Sequence, residues 1–180
     1  MKGDEAAVEA VKGPDSLEER VERMVSLYQR PLLRLCYAYL HDEEAARDAV
    51  QETFIKACRH LADFRDEASE KTWLCRIAIN TCKDMRRSSW WRHVDRAVTP
   101  EMLPVAARPA EGEDRELTLQ IMRLPGKLKE AALLCWLQGL TYEQAAQALG
   151  VSHQAVGSRL NRARKKLRLA LEGSDENDPQ

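Results

Sequence analysis

The sequence predicts an all-α protein built as two small helical domains joined by a flexible linker. Three observations carry that expectation. Apolar residues recur three and four positions apart through most of the chain, the period of an amphipathic helix. No stretch of useful length alternates apolar and polar residues as a half-buried strand would. Between about Ser88 and Gly112 the helical period stops, and Pro100, Pro104 and Pro109 stand among Ala, Val and Glu, a linker composition. The expected division is a domain at residues 16–87, a linker at 88–112 and a domain at 113–171. A linker of about 25 residues leaves many relative placements of the domains open.

In chain order, residues 1–15 end in Gly13-Pro14 and read as a mobile tail. From Ser16, the residues Leu17, Val21, Met24, Tyr28, Leu32, Leu35, Cys36 and Tyr39 keep helical spacing. Pro31 lies inside this run and is expected to kink it or divide it into two helices, because proline removes a backbone donor. Asp42 can cap the next helix, whose first turn carries Glu43 and Glu44, on the side the helix dipole favours. Its apolar stripe is Ala46, Val50, Phe54, Ala57 and Leu61; its outer face bears Asp48, Gln51, Glu52 and Lys56. Phe64 to Ser69 is a short polar connection.

The helix expected at roughly 70–87 has two faces. Leu74, Ile77, Ala78, Thr81 and Met85 form one; Arg76, Asn80, Lys83 and Arg87 form the other. Cations interleaved with an amide, near Trp73, Trp90 and Trp91, suit single-stranded or distorted nucleic acid, where bases stack on aromatics and cations hold the backbone. Trp73 fits a core position equally well. Helical spacing resumes at Leu117, Ile121 and Leu124; Pro125-Gly126 breaks it, and a helix at 127–138 closes at Gly139. The chain ends in EGSDENDPQ, an acidic stretch expected to be disordered.

Thr141 to Leu169 is the most informative stretch. Thr141 and Gln144 make a capping-box start, and Gly150 suits a left-handed helix end. Ser152 can cap the following helix, with Val151 and Val156 as a hydrophobic staple. Ala145, Ala146, Leu149, Val156 and Leu160 form the inner face. This is a helix-turn-helix pattern, whose second helix can enter a DNA major groove. Residues 151–170 carry Arg159, Arg162, Arg164, Lys165, Lys166 and Arg168 and no acid. Such a run neutralises phosphates and releases counterions; the plainer reading is a solvated helix face.

Charge is segregated although the net is −1. Residues 41–70 hold nine acids and four bases, whereas residues 71–96 hold seven bases and two acids, which suggests different partners for different surfaces. The N-terminus lacks the apolar run of a signal peptide, and no segment approaches the roughly 20 apolar residues that span a bilayer. A cytoplasmic protein with no membrane insertion is expected. Cys36, Cys58, Cys75, Cys82 and Cys135 are scattered without a CxxC pair, and His41, His60, His93 and His153 show no ligand spacing. No metal, no cofactor and no catalytic residue is expected, so the chain does not read as an enzyme.

Two stretches resemble a known family. DAVQETFIKACRHLADFRDEASEKTW, from Asp48 to Trp73, continued by LCRIAINTCKDMRR, resembles region two of the extracytoplasmic-function sigma factors. LPGKLKEAALLCWLQGLTYEQAAQALGVSHQAVGSRLNRARKKLR resembles their region four. The order of the two and the proline-containing linker also fit. The resemblance implies a promoter-specificity subunit of bacterial RNA polymerase, a monomer controlled by an anti-sigma factor. It implies that Asp48, Gln51, Glu52 and Ile55 dock on the clamp helices of the large polymerase subunit. The loop Phe64–Thr72 would help capture a flipped base of the minus-ten element. Phe64, Trp73, Arg76, Asn80, Lys83 and Arg87 become the minus-ten residues. Ser152, His153, Gln154, Ser158, Arg159, Asn161 and Arg162 would face the minus-thirty-five element, where Arg can pair with guanine and Gln with adenine. Arg162, Arg164 and Lys165 are placed mainly on phosphate. Gly157 departs from the family pattern, which often has a basic residue there, and the N-terminal extension and Trp90-Trp91 have no counterpart in it. A stand-alone helix-turn-helix regulator with an N-terminal sensor or dimerisation domain is the alternative.

Overall fold

The structure, a computed structural model, describes residues 16–61, 64, 68–87 and 115–175. The N-terminal tail and the whole of the linker expected at 88–112, with Trp90 and Trp91, lie outside the described residues. Among those described there are seven α-helices and no strand.

The first unit is a three-helix bundle of α1 (Leu17–Leu40), α2 (Glu43–His60) and α3 (Glu70–Arg87), each packed on the other two. Its helix ends follow from local chemistry. Ser16 Oγ accepts from the Glu19 N–H at 3.2 Å while the Glu19 carboxylate accepts from the Ser16 N–H at 2.9 Å, a reciprocal cap. Asp42 Oδ1 accepts from the Ala45 N–H at 2.7 Å, and Ser69 Oγ from the Thr72 N–H at 3.2 Å. Between α1 and α2 the chain turns at His41, which takes the left-handed conformation with φ 62°, a region histidine enters more readily than most residues.

Pro31 neither divides α1 nor ends it; the helix runs unbroken from Leu17 to Leu40. The carbonyl that loses its donor belongs to Leu27, which is exposed, so water can replace the missing bond. The core of the bundle is Met24, Leu32, Leu35, Leu74 and Ile79, with Cys36, Cys75 and Cys82 buried among them. A hydrogen bond to Cys82, then burial, pushes the Cys36 thiol well up; burial pushes Cys75 up to about 12. Such thiols stay protonated and behave as small apolar residues.

The second unit contains α4 (Arg115–Met122), α5 (Gly126–Ala132), α6 (Tyr142–Leu149) and α7 (His153–Asp175). The helix expected at 127–138 is not uniform. It widens into a π-helical turn at Leu133–Leu137, where the Gln138 N–H bonds back five residues to the Leu133 carbonyl at 3.0 Å. Gly139, with φ 68°, then reverses the chain, and the Leu140 N–H reaches the Leu134 carbonyl at 3.0 Å. α7 continues to Asp175, past the expected start of the disordered tail, since extending a formed helix costs far less than starting one. α4, α5 and α6 all pack on α7, whose buried stripe is Val156, Leu160, Ala163 and Leu167.

The two units touch. α6 lies against α3, and the π-helical turn lies against α1. This is one of the placements that the linker left open.

Candidate functional site

Three surfaces carry the residues singled out from the sequence. The first is the outer face of α2. Asp48 and Gln51 are exposed, and Ile55 is 39% exposed although it is apolar. Glu52 pairs with Lys56 one turn on at 3.5 Å. Grooves flank this face on both sides. One, of about 700 Å³, runs between α1 and α2 and is lined by Val25, Leu33, Val50, Gln51, Phe54 and Ile55. The other, of about 420 Å³, lies between α2 and α3 and includes Asp48, Gln51, Glu52, Ile55 and Met85. The face is therefore acidic at its ridge and apolar at its sides, a mixture suited to a protein partner. The α1 contribution was missed in the sequence; the off-stripe apolar residues Val25 and Leu33 were the available signal.

The second is the helix-turn-helix. Thr141 Oγ1 accepts from the Gln144 N–H at 3.2 Å and Gln144 Oε1 accepts from the Thr141 N–H at 2.9 Å. Gly150 closes α6 with φ 64°, and Ser152 Oγ accepts from the Ala155 N–H at 3.1 Å. Ala145, Ala146 and Ala148 are buried and let α6 approach α7 closely; Leu149 is only partly covered. Ser152, His153, Gln154, Ser158, Asn161, Arg162 and Lys165 are exposed and Arg159 half-buried. Arg164 is also exposed, yet its guanidinium is engaged. It donates to Asn161 Oδ1 and to the Tyr142 hydroxyl, both at 3.1 Å, and lies 5.6 Å from the centre of the Trp136 ring. His153 stands against Tyr142 with ring centres 5.7 Å apart. A Cβ on Gly157 would meet only the Tyr142 ring, at 3.9 Å, so packing does not require glycine there.

With these surfaces in place, comparison with known proteins is decisive. Residues 24–92 match the family described as sigma-70 region 2, and residues 114–167 match sigma-70 region 4. The chain is 35% identical over 178 residues to the RNA polymerase sigma-H factor of Pseudomonas aeruginosa, covering 87% of this chain and 92% of that protein. It belongs to the extracytoplasmic-function family of RNA polymerase sigma factors. The extracytoplasmic-function sigma-E factor of Haemophilus influenzae is 32% identical, covering 91% of this chain and 93% of its own. Among solved structures, CnrH in complex with the cytosolic domain of CnrY is similar with a TM-score of 0.66 at 25% identity, covering 87% of this chain and 90% of that one. The sigma factor RpoE of Bartonella quintana, solved with the anti-sigma factor NepR, shares the fold with a TM-score of 0.68 at 23% identity over 85% of this chain and 97% of that one.

The third surface belongs to region two of this sigma factor. Trp73 is half-buried with its ring 4.6 Å from that of Phe64, and the Arg20 guanidinium lies 5.4 Å from the Phe64 centre on the other contact. Glu70 anchors this corner through Arg20 at 3.1 Å and Arg23 at 3.6 Å. Trp73 thus serves partly as core and partly as surface. Beside it an opening of about 400 Å³ is lined by Trp73, Ile77 and Asn80 from α3 and by Lys56, Arg59 and His60 from the end of α2. Of these three α2 residues only Lys56 stands out in the sequence, on the outer face of the helix. Arg76, Asn80 and Arg87 are exposed, Arg87 lying 3.6 Å from Asp84. Lys83 does not join them. It turns toward region four, with Nζ 3.0 Å from a Glu130 carboxylate oxygen.

Proposed function

We propose that this sigma factor docks on the clamp helices of the large polymerase subunit through Asp48, Gln51, Glu52 and Ile55, and holds promoter DNA with its two basic surfaces. The observation that carries this reading is the coexistence of an exposed acidic-apolar helix face on α2 with an acid-free, exposed basic run on α7. One suits protein, the other phosphate.

In region two, the opening beside Trp73 has room for an extruded base, with Asn80 to read its edge and Arg76, Arg87 and the stack of Phe64 on Trp73 alongside. Extrusion costs a few kcal/mol, which a preformed aromatic and cationic pocket offsets. In region four, Ser152, His153 and Gln154 lie at the start of α7 and Ser158, Arg159, Asn161 and Arg162 along it, the places from which a recognition helix reaches base edges. Lys165 and Arg162 fit phosphate contacts. The protein acts as one copy per polymerase, in the cytoplasm and without chemistry of its own. Among the described residues no helix is long and apolar enough to cross a membrane. Control by an anti-sigma factor is supported by the similar structures, both solved as complexes with a second protein.

The test is run-off transcription with purified bacterial core polymerase on a pool of promoter fragments. New sequence-specific transcripts that need the protein are expected. Tight duplex binding by the protein alone, with no transcript, would instead make it a stand-alone helix-turn-helix regulator.

A further inference from the structure

A relay of side chains from three elements runs along one flank of the helix-turn-helix. The Arg164 guanidinium lies 5.6 Å from the centre of the Trp136 ring, in the π-helical turn, and donates to the Tyr142 hydroxyl at 3.1 Å. The Tyr142 ring in turn stands beside His153, with ring centres 5.7 Å apart and planes tilted by 46°. That separation is inside the range of about 4.5–7 Å over which aromatic rings attract each other. His153, Gly157 and Arg164 fall on one face of α7 at helical spacing, and a Cβ on Gly157 would lie 3.9 Å from the Tyr142 ring. Tyr142 is therefore half-buried over this face, held at its hydroxyl end by Arg164, while His153 stays exposed.

His153 is the first residue of α7. Side chains lean toward the N-terminus of a helix, so this one projects past the end from which a recognition helix reaches base edges. No helical turn precedes it, so α7 itself does not restrict its χ1 as it would that of an interior residue. A ring free to change rotamer reads a base poorly, because ordering it on contact costs affinity for the right sequence. Tyr142 supplies the restriction from the neighbouring helix, and Arg164 and Trp136 fix Tyr142 in turn.

We propose that Tyr142 is a positioning residue that holds His153 so that one imidazole N–H meets the N7 of a purine in the minus-thirty-five element. This deepens the sigma-factor reading above and rests on it. The imidazole carries at least one N–H whatever its charge. In the major groove both purines present N7 as an acceptor, whereas cytosine presents an amino donor and thymine a methyl group beside O4. The pair of rings therefore selects purine over pyrimidine at a single position, by about fivefold for one hydrogen bond.

The experiment uses the full chain and a pool of duplexes randomised throughout the minus-thirty-five region. The pool is selected in two ways, by transcription with core polymerase and by duplex binding of the protein, and the survivors are sequenced. The unaltered chain is expected to prefer purine at one position by about fivefold, and His153→Ala to abolish that preference while sparing the others. Tyr142→Leu should lower the same preference to about twofold or less, and adding His153→Ala should cause no further loss there, since the two rings act as one unit. Tyr142→Phe keeps the ring and loses only the hydroxyl, so it should retain the purine preference. Each protein is scored by its preference among sequences, which partial unfolding of a variant lowers for none over another. A uniform loss across all sequences in Tyr142→Leu would make Tyr142 a structural or phosphate-contacting residue and overturn the proposal. Unchanged preferences in His153→Ala would overturn it as well. A purine preference that depends on Tyr142 and His153 in duplex binding, with no transcript from any duplex, would sink the sigma reading and leave the positioning of His153 standing.

Discussion

Lys129 Nζ lies 3.2 Å from His41 Nε2, joining α5 of region four to the left-handed residue that ends α1. Two groups that each carry a positive charge when protonated thus share one buried corner, with Arg86 near both. Burial pushes the His41 ring down to about 4, and the Lys129 and Arg86 charges push in the same direction, against backbone hydrogen bonds from the ring at Met122 and Ala38. Burial, then Arg86, lowers Lys129 to about 8.

Both groups hold fewer protons in this fold than in an open or unfolded chain, so stability rises with pH wherever they titrate. For His41 that window runs from about pH 4 to 6.5, and for Lys129 from about pH 8 to 10.5. The expected outcome is a melting temperature that falls between pH 7 and pH 5, with at most about 3 kcal/mol at stake for His41. His41→Asn, which tolerates the left-handed backbone and does not titrate there, should flatten the profile. An unchanged slope in that variant would assign the acid sensitivity elsewhere.

Asp48→Arg should weaken binding to core polymerase at least tenfold with no change in melting temperature. The side chain is exposed and makes no contact that holds the bundle, so reversing its charge acts on a partner and not on the fold. Fluorescence titration with core enzyme gives the first quantity and thermal denaturation the second. Equal affinity for the two proteins would remove Asp48 from the docking face.

The same substitution at two glycines should have opposite signs. Gly150→Ala places a side chain at φ 64°, with open space around it, so its cost is conformational alone, about 1 kcal/mol. Gly157→Ala lies in the helical interior of α7, where the new methyl meets only ordinary contact with Tyr142, and should stabilise by about 0.5–1 kcal/mol. Thermal denaturation measures both. If Gly157→Ala is stabilising and still weakens duplex binding, the glycine is there to let DNA approach the backbone.

Local chemistry made much of the fold legible. Asp42, Thr141, Gly150 and Ser152 cap or end helices where their side chains or backbone freedom place them, because a cap acts over three or four residues. The exposed positions of α2 and α7 followed from helical period in the same way. What escaped is what depends on distant partners. Nothing near Lys83 in sequence reveals that Glu130 holds it, and nothing near Arg164 in sequence reveals that Tyr142, from the preceding helix, engages it. Arg59 and His60 carry no sequence signal of a site; only the packing of α3 on α2 brings Trp73 and Asn80 to the same opening. The undivided course through Pro31 depended on which side of α1 faced water, a tertiary matter.

Arg164 and Lys165, adjacent in sequence and both exposed, should therefore behave differently. Arg164 bridges α7 to Tyr142 on α6 and to the Trp136 ring, so it fixes the angle at which the recognition helix is presented. Lys165 has an open side chain on the basic face. Lys165→Ala should lower duplex affinity in a salt-dependent way, reducing the slope of log affinity against log salt by about 1, and leave stability unchanged. Arg164→Ala should cost about 0.5–1 kcal/mol of stability by removing hydrogen bonds at a partly wet site, and should change the salt slope less. Tyr142→Phe removes one of the same hydrogen bonds without touching a charge, and so should reproduce part of the stability loss with no change in slope. Full loss of the salt term in Arg164→Ala, with stability intact, would return that arginine to the phosphate backbone.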